Sequence, residues 1–190
     1  IASPKKPKWL KIKLPSQKAS ETKNIVNRRK LVTVCEEALC PNLSECWSKK
    51  HATFMILGDV CTRSCSFCNI QTGKPQSVDE TEPLRVARAV KDLKLNHVVI
   101  TSVDRDDLMD GGANHFYKTI KMIKNLSPHV SIEILTPDFK DKDNYLDILS
   151  KCEINVFNHN LETVKNLYRD VRPGANYLHS LSLLKDIKKL

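Results

Sequence analysis

No apolar run in the 190 residues approaches the roughly 20 needed to cross a bilayer, so no helical membrane span is expected. A secretory signal is missing as well, because the basic start is not followed by an apolar core segment. The sequence opens at Ile1 and not at Met, which leaves room for a leader upstream. No internal repeat stands out, and the six histidines show no metal-ligand spacing. Charge excess is missing from most of the chain. Residues 1–30 hold ten Lys or Arg against one acid, Glu21, whereas residues 31–190 hold 21 bases and 21 acids. The whole formal charge of +9 therefore sits in a basic N-terminal arm and not on a folded face, which argues against nucleic-acid binding. Such an arm reads either as a solvated tail or as a guide that steers an acidic protein partner. Lys5, Lys6, Lys8 and Lys11 would face outward, and Trp9, Leu10, Ile12 and Leu14 would anchor it as one short strand.

What is present is enough apolar material, 41% of residues, for one domain with a core. From residue 53 onward short apolar runs alternate with helical stretches. Phe54–Leu57, Val98–Ile100, Val130–Leu135 and Ile154–Phe157 read as four strands. Between them, Pro83 opens a helix whose Leu84, Ala87, Val90 and Leu93 share a face, and Phe116, Ile120 and Ile123 mark a second. Tyr145 and Leu149 mark a third, and segments around 161–168 and 177–189 follow. This rhythm predicts an α/β fold with a parallel sheet covered on both faces. Four strands cannot close a barrel, and the pattern stops inside a helix at Lys188-Lys189-Leu190, so continuation beyond that point is expected.

Seven cysteines in a chain without a secretory signal point to metal rather than to disulfides. Cys152 stands alone in an apolar stretch and reads as a core thiol. The other six form two triplets. Cys61, Cys65 and Cys68 are spaced C-x3-C-x2-C directly after the first strand. Three thiolates on a four-iron cluster leave one iron open, and an open position is what catalysis requires. Cys35, Cys40 and Cys46 form a looser triplet upstream. A zinc module or an iron–sulfur electron carrier is the competing reading. Two sites that are each one ligand short argue against it.

The C-x3-C-x2-C spacing, with Phe67 before its last cysteine, is the signature of radical S-adenosylmethionine (SAM) enzymes. The run Cys35 to Trp47 closely resembles the auxiliary-cluster motif of the lipoyl synthase family. Val99 to Asp107, Glu133 to Phe139, Asn158 to Thr163 and Arg172 to Ala175 resemble that family too. A tRNA-modifying methylthio-transferase is the alternative enzyme, and the position of the Cys35 triplet does not favour it.

The resemblance implies a partial (βα)6 TIM-type barrel, here about four βα units over 53–190, preceded by an auxiliary-cluster segment at 31–52 and the arm at 1–30. It implies two 4Fe-4S clusters and SAM as cofactors. Cys61, Cys65 and Cys68 would hold the reducing cluster, which cleaves SAM to a 5′-deoxyadenosyl radical. Cys35, Cys40 and Cys46 would hold the second, sacrificed as sulfur source, with a fourth ligand from a C-terminal serine that this sequence does not contain. Two sulfur atoms would enter at C6 and C8 of a protein-bound octanoyl-lysine. Phe67, Ser102, Asp104, Asn158, Asn160 and Arg172 are the expected SAM contacts. Against these stand plainer readings: core packing for Phe67, a cap or solvated loop for Asp104, an N-cap for Asn160 and an exposed turn for Arg172. Expected partners are octanoylated lipoyl carrier domains and an electron donor such as ferredoxin or flavodoxin, with neither nucleic acid nor membrane. The compartment must be reducing, which means bacterial cytoplasm or, alternatively, a mitochondrial or plastid matrix.

Overall fold

The computed structural model describes residues 17–38, 40–49 and 51–189. The first elements are α1 (Gln17–Arg28), β1 (Val32–Thr33), α2 (Val34–Glu37) and α3 (Leu43–Ser48). Then come β2 (Thr53–Ile56), β3 (Val60–Cys61), β4 (Gln71–Thr72), α4 (Glu82–Leu93), β5 (His97–Ser102) and α5 (Ala113–Leu126). The chain continues through β6 (Ser131–Leu135), α6 (Tyr145–Leu149), β7 (Val156–Asn158), a 3-10 turn at Lys165–Leu167, α7 (Tyr168–Val171) and α8 (Tyr177–Ile187).

The main sheet runs β1-β2-β5-β6-β7. The strands β2, β5, β6 and β7 are parallel neighbours, and β1 lies antiparallel on the outer edge of β2. These four parallel strands are the four expected from the apolar runs, and the sheet is open, as in a partial barrel. Parallel register brings Phe54, Ile100, Ile134 and Phe157 into one row across the sheet. Phe54, Ile100 and Ile134 are fully buried in one core with Val86, Val90 and Leu93 of α4 and Phe116, Ile120 and Ile123 of α5. The helix α4 begins with Pro83 in its first turn and ends at Lys94, which takes the left-handed conformation at φ 51°. No helix among the described residues is long and apolar enough to cross a membrane.

The structure corrects the sequence reading in three places. Residues 17–28 of the expected arm are helical, with Ala19, Thr22 and Val26 buried three and four positions apart. This helix packs on α3 and α4, and Thr22 Oγ1 donates to the Trp47 carbonyl at 3.1 Å. The strongly polar composition of the segment hid that narrow stripe. The expected helix at 161–168 begins only at Lys165, because Glu162 sits at φ 64° and Val164 is extended. The short parallel pair β3–β4 was not foreseen. The strand expected at Trp9–Leu14 lies outside the described residues.

Ile100 sits at the centre of the buried row, so Ile100→Ala is expected to lower the unfolding free energy of the metal-free protein by about 2–5 kcal/mol. Val164→Ala, at a side chain 63% exposed, should stay within about 0.5 kcal/mol. Urea denaturation of both variants measures the contrast.

Candidate functional site

After β2 the chain enters the loop that carries the second cysteine triplet. Leu57, at φ 70°, turns it away from the sheet. The loop then closes on itself: Val60 and Cys61 pair with Gln71 and Thr72, and the Gly73 N–H donates to the Cys61 carbonyl at 3.0 Å. Two contacts tie it outward. The Ser66 N–H donates to Val171 O at 3.0 Å, and the Asn69 amide donates to Glu37 O at 2.8 Å. Glu37 lies between Cys35 and Cys40, so the two cysteine segments touch.

A cavity of about 340 Å³ opens at the C-terminal ends of β2, β5 and β6. That is the end of a parallel α/β sheet where active sites assemble. Cys61, Cys65 and Cys68 line it from the loop, and Met55, Thr101 and Leu135 line it from the strands. Val34 and Ala38, from the first cysteine segment, line it as well. Of the expected cofactor contacts, Phe67, Ser102, Asp104, Asn160 and Arg172 lie on the wall. Asn158 does not; its side-chain amide donates to the Glu133 carboxylate instead. Phe67 is 53% exposed, so it is not a core residue. Arg172 is buried and donates to the Asn160 carbonyl at 2.8 Å and the Tyr168 hydroxyl at 3.2 Å, which excludes an exposed turn. Asn160 caps none of the described helices.

Sequence reasoning passed over Arg63, Thr136 and Asp138. Arg63 and Thr136 line the cavity together with Glu162, and Asp138 is completely buried behind them. The available signal was position: Arg63 sits inside the cysteine motif, and Thr136 and Asp138 flank the proline that stops β6.

Electrostatics concentrate here. Burial would weaken the charge on Arg63, but bonds from Asp106 and Asp138 outweigh it, and its pKa rises above the ordinary arginine value. Burial raises the Asp104 carboxyl despite Arg63 beside it. Burial also opposes ionisation of Asp138, but the bond from Arg63 prevails and holds it below the usual carboxylate range. Arg63 Nη1, Ser102 Oγ, Asp104 Oδ1, Thr136 Oγ1 and Asp138 Oδ2 are buried yet have no hydrogen-bond partner. Orphaned donors and acceptors gathered at one cavity mark the place of a polar ligand carrying both kinds of group. SAM, with its ammonium, carboxylate and ribose hydroxyls, fits that description.

The thiols fit a multi-iron group. Burial pushes the Cys61 thiol up; burial and then Asp104 push Cys65 up to about 11. Both are therefore protonated at neutral pH until a metal displaces the proton. Among the described residues no three His, Cys, Asp or Glu gather tightly enough for a single ion. Three thiols spread around one loop suit a cluster in which each thiolate takes its own iron. In the first triplet, Cys35 and Cys40 line a separate recess beside Trp47. The Cys46 thiol is raised by burial first and then by Cys35 and Cys40. All seven cysteines are free, and burial raises the isolated Cys152 to about 11.

Comparison with known proteins agrees with this geometry. Residues 55–190 match the model of the Radical SAM superfamily. The fold is similar to the crystal structure of methylornithine synthase (PylB), with a TM-score of 0.55 at 14% sequence identity. That alignment covers 94% of this chain and 50% of the other, so the chain spans about half the length of that structure.

The thiols should differ in reactivity before any metal is bound. Cys68 is exposed, Cys65 is half-buried with a raised pKa, and Cys61 is buried. Iodoacetamide should therefore alkylate Cys68 first and Cys61 last in the metal-free protein, because reactivity follows thiolate fraction and access. Peptide mass spectrometry over time reads the order; equal rates would mean that the loop is not closed by β3 and β4.

Proposed function

The chain belongs to the radical SAM superfamily, and from that premise we propose that it is a lipoyl synthase, inserting two sulfur atoms at C6 and C8 of a protein-bound octanoyl-lysine. The observation that carries this reading is the second cysteine triplet and its placement. Cys35, Cys40 and Cys46 follow one another on a segment whose Val34 and Ala38 wall the same cavity as Cys61, Cys65 and Cys68. A sulfur donor held there would be carried by a segment that already lines the cavity.

A cluster with SAM bound supplies a carbon-centred radical able to break unactivated C–H bonds, which no side chain can do. The chain's own residues have other tasks. Cys61, Cys65 and Cys68 would hold the reducing cluster, and Cys35, Cys40 and Cys46 would hold the donor cluster. Asp104 and Ser102 offer acceptors for the cofactor's ammonium, and Arg63 and Arg172 offer cationic donors on the same wall. Phe67, exposed on the cavity wall, would offer an aromatic face to the cofactor's base. Met55, Val103, Ile70 and Leu135 give the cavity an apolar side suited to an acyl chain and hostile to water, which would quench selectivity. Octanoylated lipoyl carriers are the proposed substrates, drawn in by the basic residues 1–30, and a small ferredoxin or flavodoxin is the proposed reductant.

Two cysteine variants of the reconstituted holoprotein test the division of labour. Cys65→Ala should abolish cleavage of SAM to methionine and 5′-deoxyadenosine, exceeding the roughly 10–100-fold loss typical of an outer-shell partner. Cys40→Ala should retain cleavage and lose sulfur insertion into an octanoyl-lysyl peptide. Equal loss of cleavage in both, or zinc in place of iron and acid-labile sulfide, would contradict the reading.

A further inference from the structure

Two buried arginines are exchanged between the cysteine loop and the loop that follows β5. Arg63 lies inside the cysteine loop and reaches out of it. Its Nε and Nη2 donate to the two oxygens of Asp106 at 2.8 and 2.7 Å, and Nη2 also lies 2.9 Å from Asp138 Oδ1. Nη1 stands 3.4 Å from Asp104 Oδ1. Arg105 lies inside the loop after β5 and reaches back. Its Nη1 donates to the Leu57 carbonyl at 3.2 Å, and Nη2 donates to the Gln76 carbonyl at 3.0 Å. Leu57 and Gln76 stand at the two ends of the cysteine loop, so one side chain holds both of its stems.

Consecutive residues face opposite ways here. Asp104 and Asp106 turn to Arg63, while Arg105 and Asp107 turn to each other, with Nε and Nη2 both 2.8 Å from the Asp107 carboxylate. That bond holds the Asp107 carboxyl below the usual range. The backbone repeats the link: the Thr62 N–H donates to Asp104 O, and the Asp106 N–H donates to Thr62 Oγ1, both at 3.1 Å. Leu57 is gripped on its other side too. Its N–H donates to the buried Glu82 carboxylate at 2.8 Å, and the same oxygen lies 2.7 Å from His115 Nε2. A residue at φ 70° needs such holding, because the left-handed conformation is unfavourable for a branched side chain.

Arg63 has a place on the cavity wall; Arg105, Leu57 and Gln76 have none. We propose that Arg105 is a positioning residue for radical SAM chemistry: with Arg63 it forms a reciprocal clasp that fixes the cluster-holding cysteines against Asp104, without touching the cofactor. The proposal rests on membership of the superfamily and not on which substrate is used. Cys61 sits between the clasped points, and its Sγ is 3.9 Å from Asp104 Oδ2. Loss of the Arg105 fork frees both stems of the loop at once, while the β3–β4 pair still keeps the three cysteines together.

The test compares Arg105→Gln, Arg105→Lys and Asp107→Asn. In the metal-free protein, hydrogen–deuterium exchange at residues 57–61 and 73–77 should accelerate about tenfold or more in Arg105→Gln, with β6 and α5 unchanged. Asp107→Asn, which only loosens the fork, should show the same segments moving by less, and it carries the test if Arg105→Gln does not fold. In the reconstituted protein, iron content should hold while KM for SAM in reductive cleavage rises roughly 10–100-fold, the usual cost of an outer-shell partner. Arg105→Lys should recover part of that loss. Unchanged exchange at 57–61 and 73–77, or acceleration spread evenly over the domain, would overturn the clasp. So would a fall in kcat that tracks lost iron at constant KM. Cleavage is assayed without sulfur insertion, so failure here leaves the lipoyl reading standing, and the reverse holds as well.

Discussion

Successive side chains of a strand face opposite ways, and in a parallel sheet paired residues face the same way. That constraint decides what each of the four parallel strands gives to the molecule. Phe54, Ile100, Ile134 and Phe157 form one row and turn to the helices. Met55, Thr101, Leu135 and Asn158 form the next and turn the other way, and the first three of these reach the cavity. A slip of one residue in any strand would put an apolar side chain among the arginines and a polar one into the core. The loops that carry chemistry inherit their starting points from this register: Leu57 after β2, Val103 after β5, Thr136 after β6.

On that platform the site solves a charge problem. Asp138 is fully buried and Arg63 nearly so, which would be strongly unfavourable for either alone. Together with Asp104 and Asp106 they share charge across three loops that are distant in sequence. The network is incomplete within the protein, since Asp104, Asp138 and Arg63 each keep an atom without a hydrogen bond. Rigid polar walls with open valences are what preorganised binding requires, because little reorganisation remains when a charged ligand arrives.

Much of this was legible in the residues. The strand–helix rhythm gave the sheet because its apolar runs are short, separate and backed by helices with a clear face. The C-x3-C-x2-C spacing located the cavity because all three thiols come from one local loop. Ser102 and Asp104 could be placed at the cavity because they lie at and just past a strand end. What escaped depends on contacts at long range. No local pattern says that Asn158 turns to Glu133, or that Asp138 is buried under Arg63, 75 positions earlier. The helix α1 escaped for a related reason: its three buried positions matter only because α3 and α4 lie beneath them. Glu162 broke an expected helix through a backbone angle that its side chain does not announce.

The supports of the two cysteine triplets differ in where they come from along the chain. The second triplet is closed by β3 and β4, within a dozen residues of itself. The first depends on partners downstream: β1 needs β2, and Arg29 bonds Asp92 with 63 positions between them. A ribosome adds about 5–20 residues per second, so roughly 3–13 s separate the appearance of Arg29 from that of its partner. During vectorial synthesis the upstream thiols thus emerge first and wait for β2 and Asp92, while the second triplet, held by Arg105 and by Ser66 on Val171, waits longer still. Any assembly factor that loads iron and sulfide as the polypeptide appears meets a locally paired but unclasped loop at the second triplet, and that cradle is complete only once Val171 has been made.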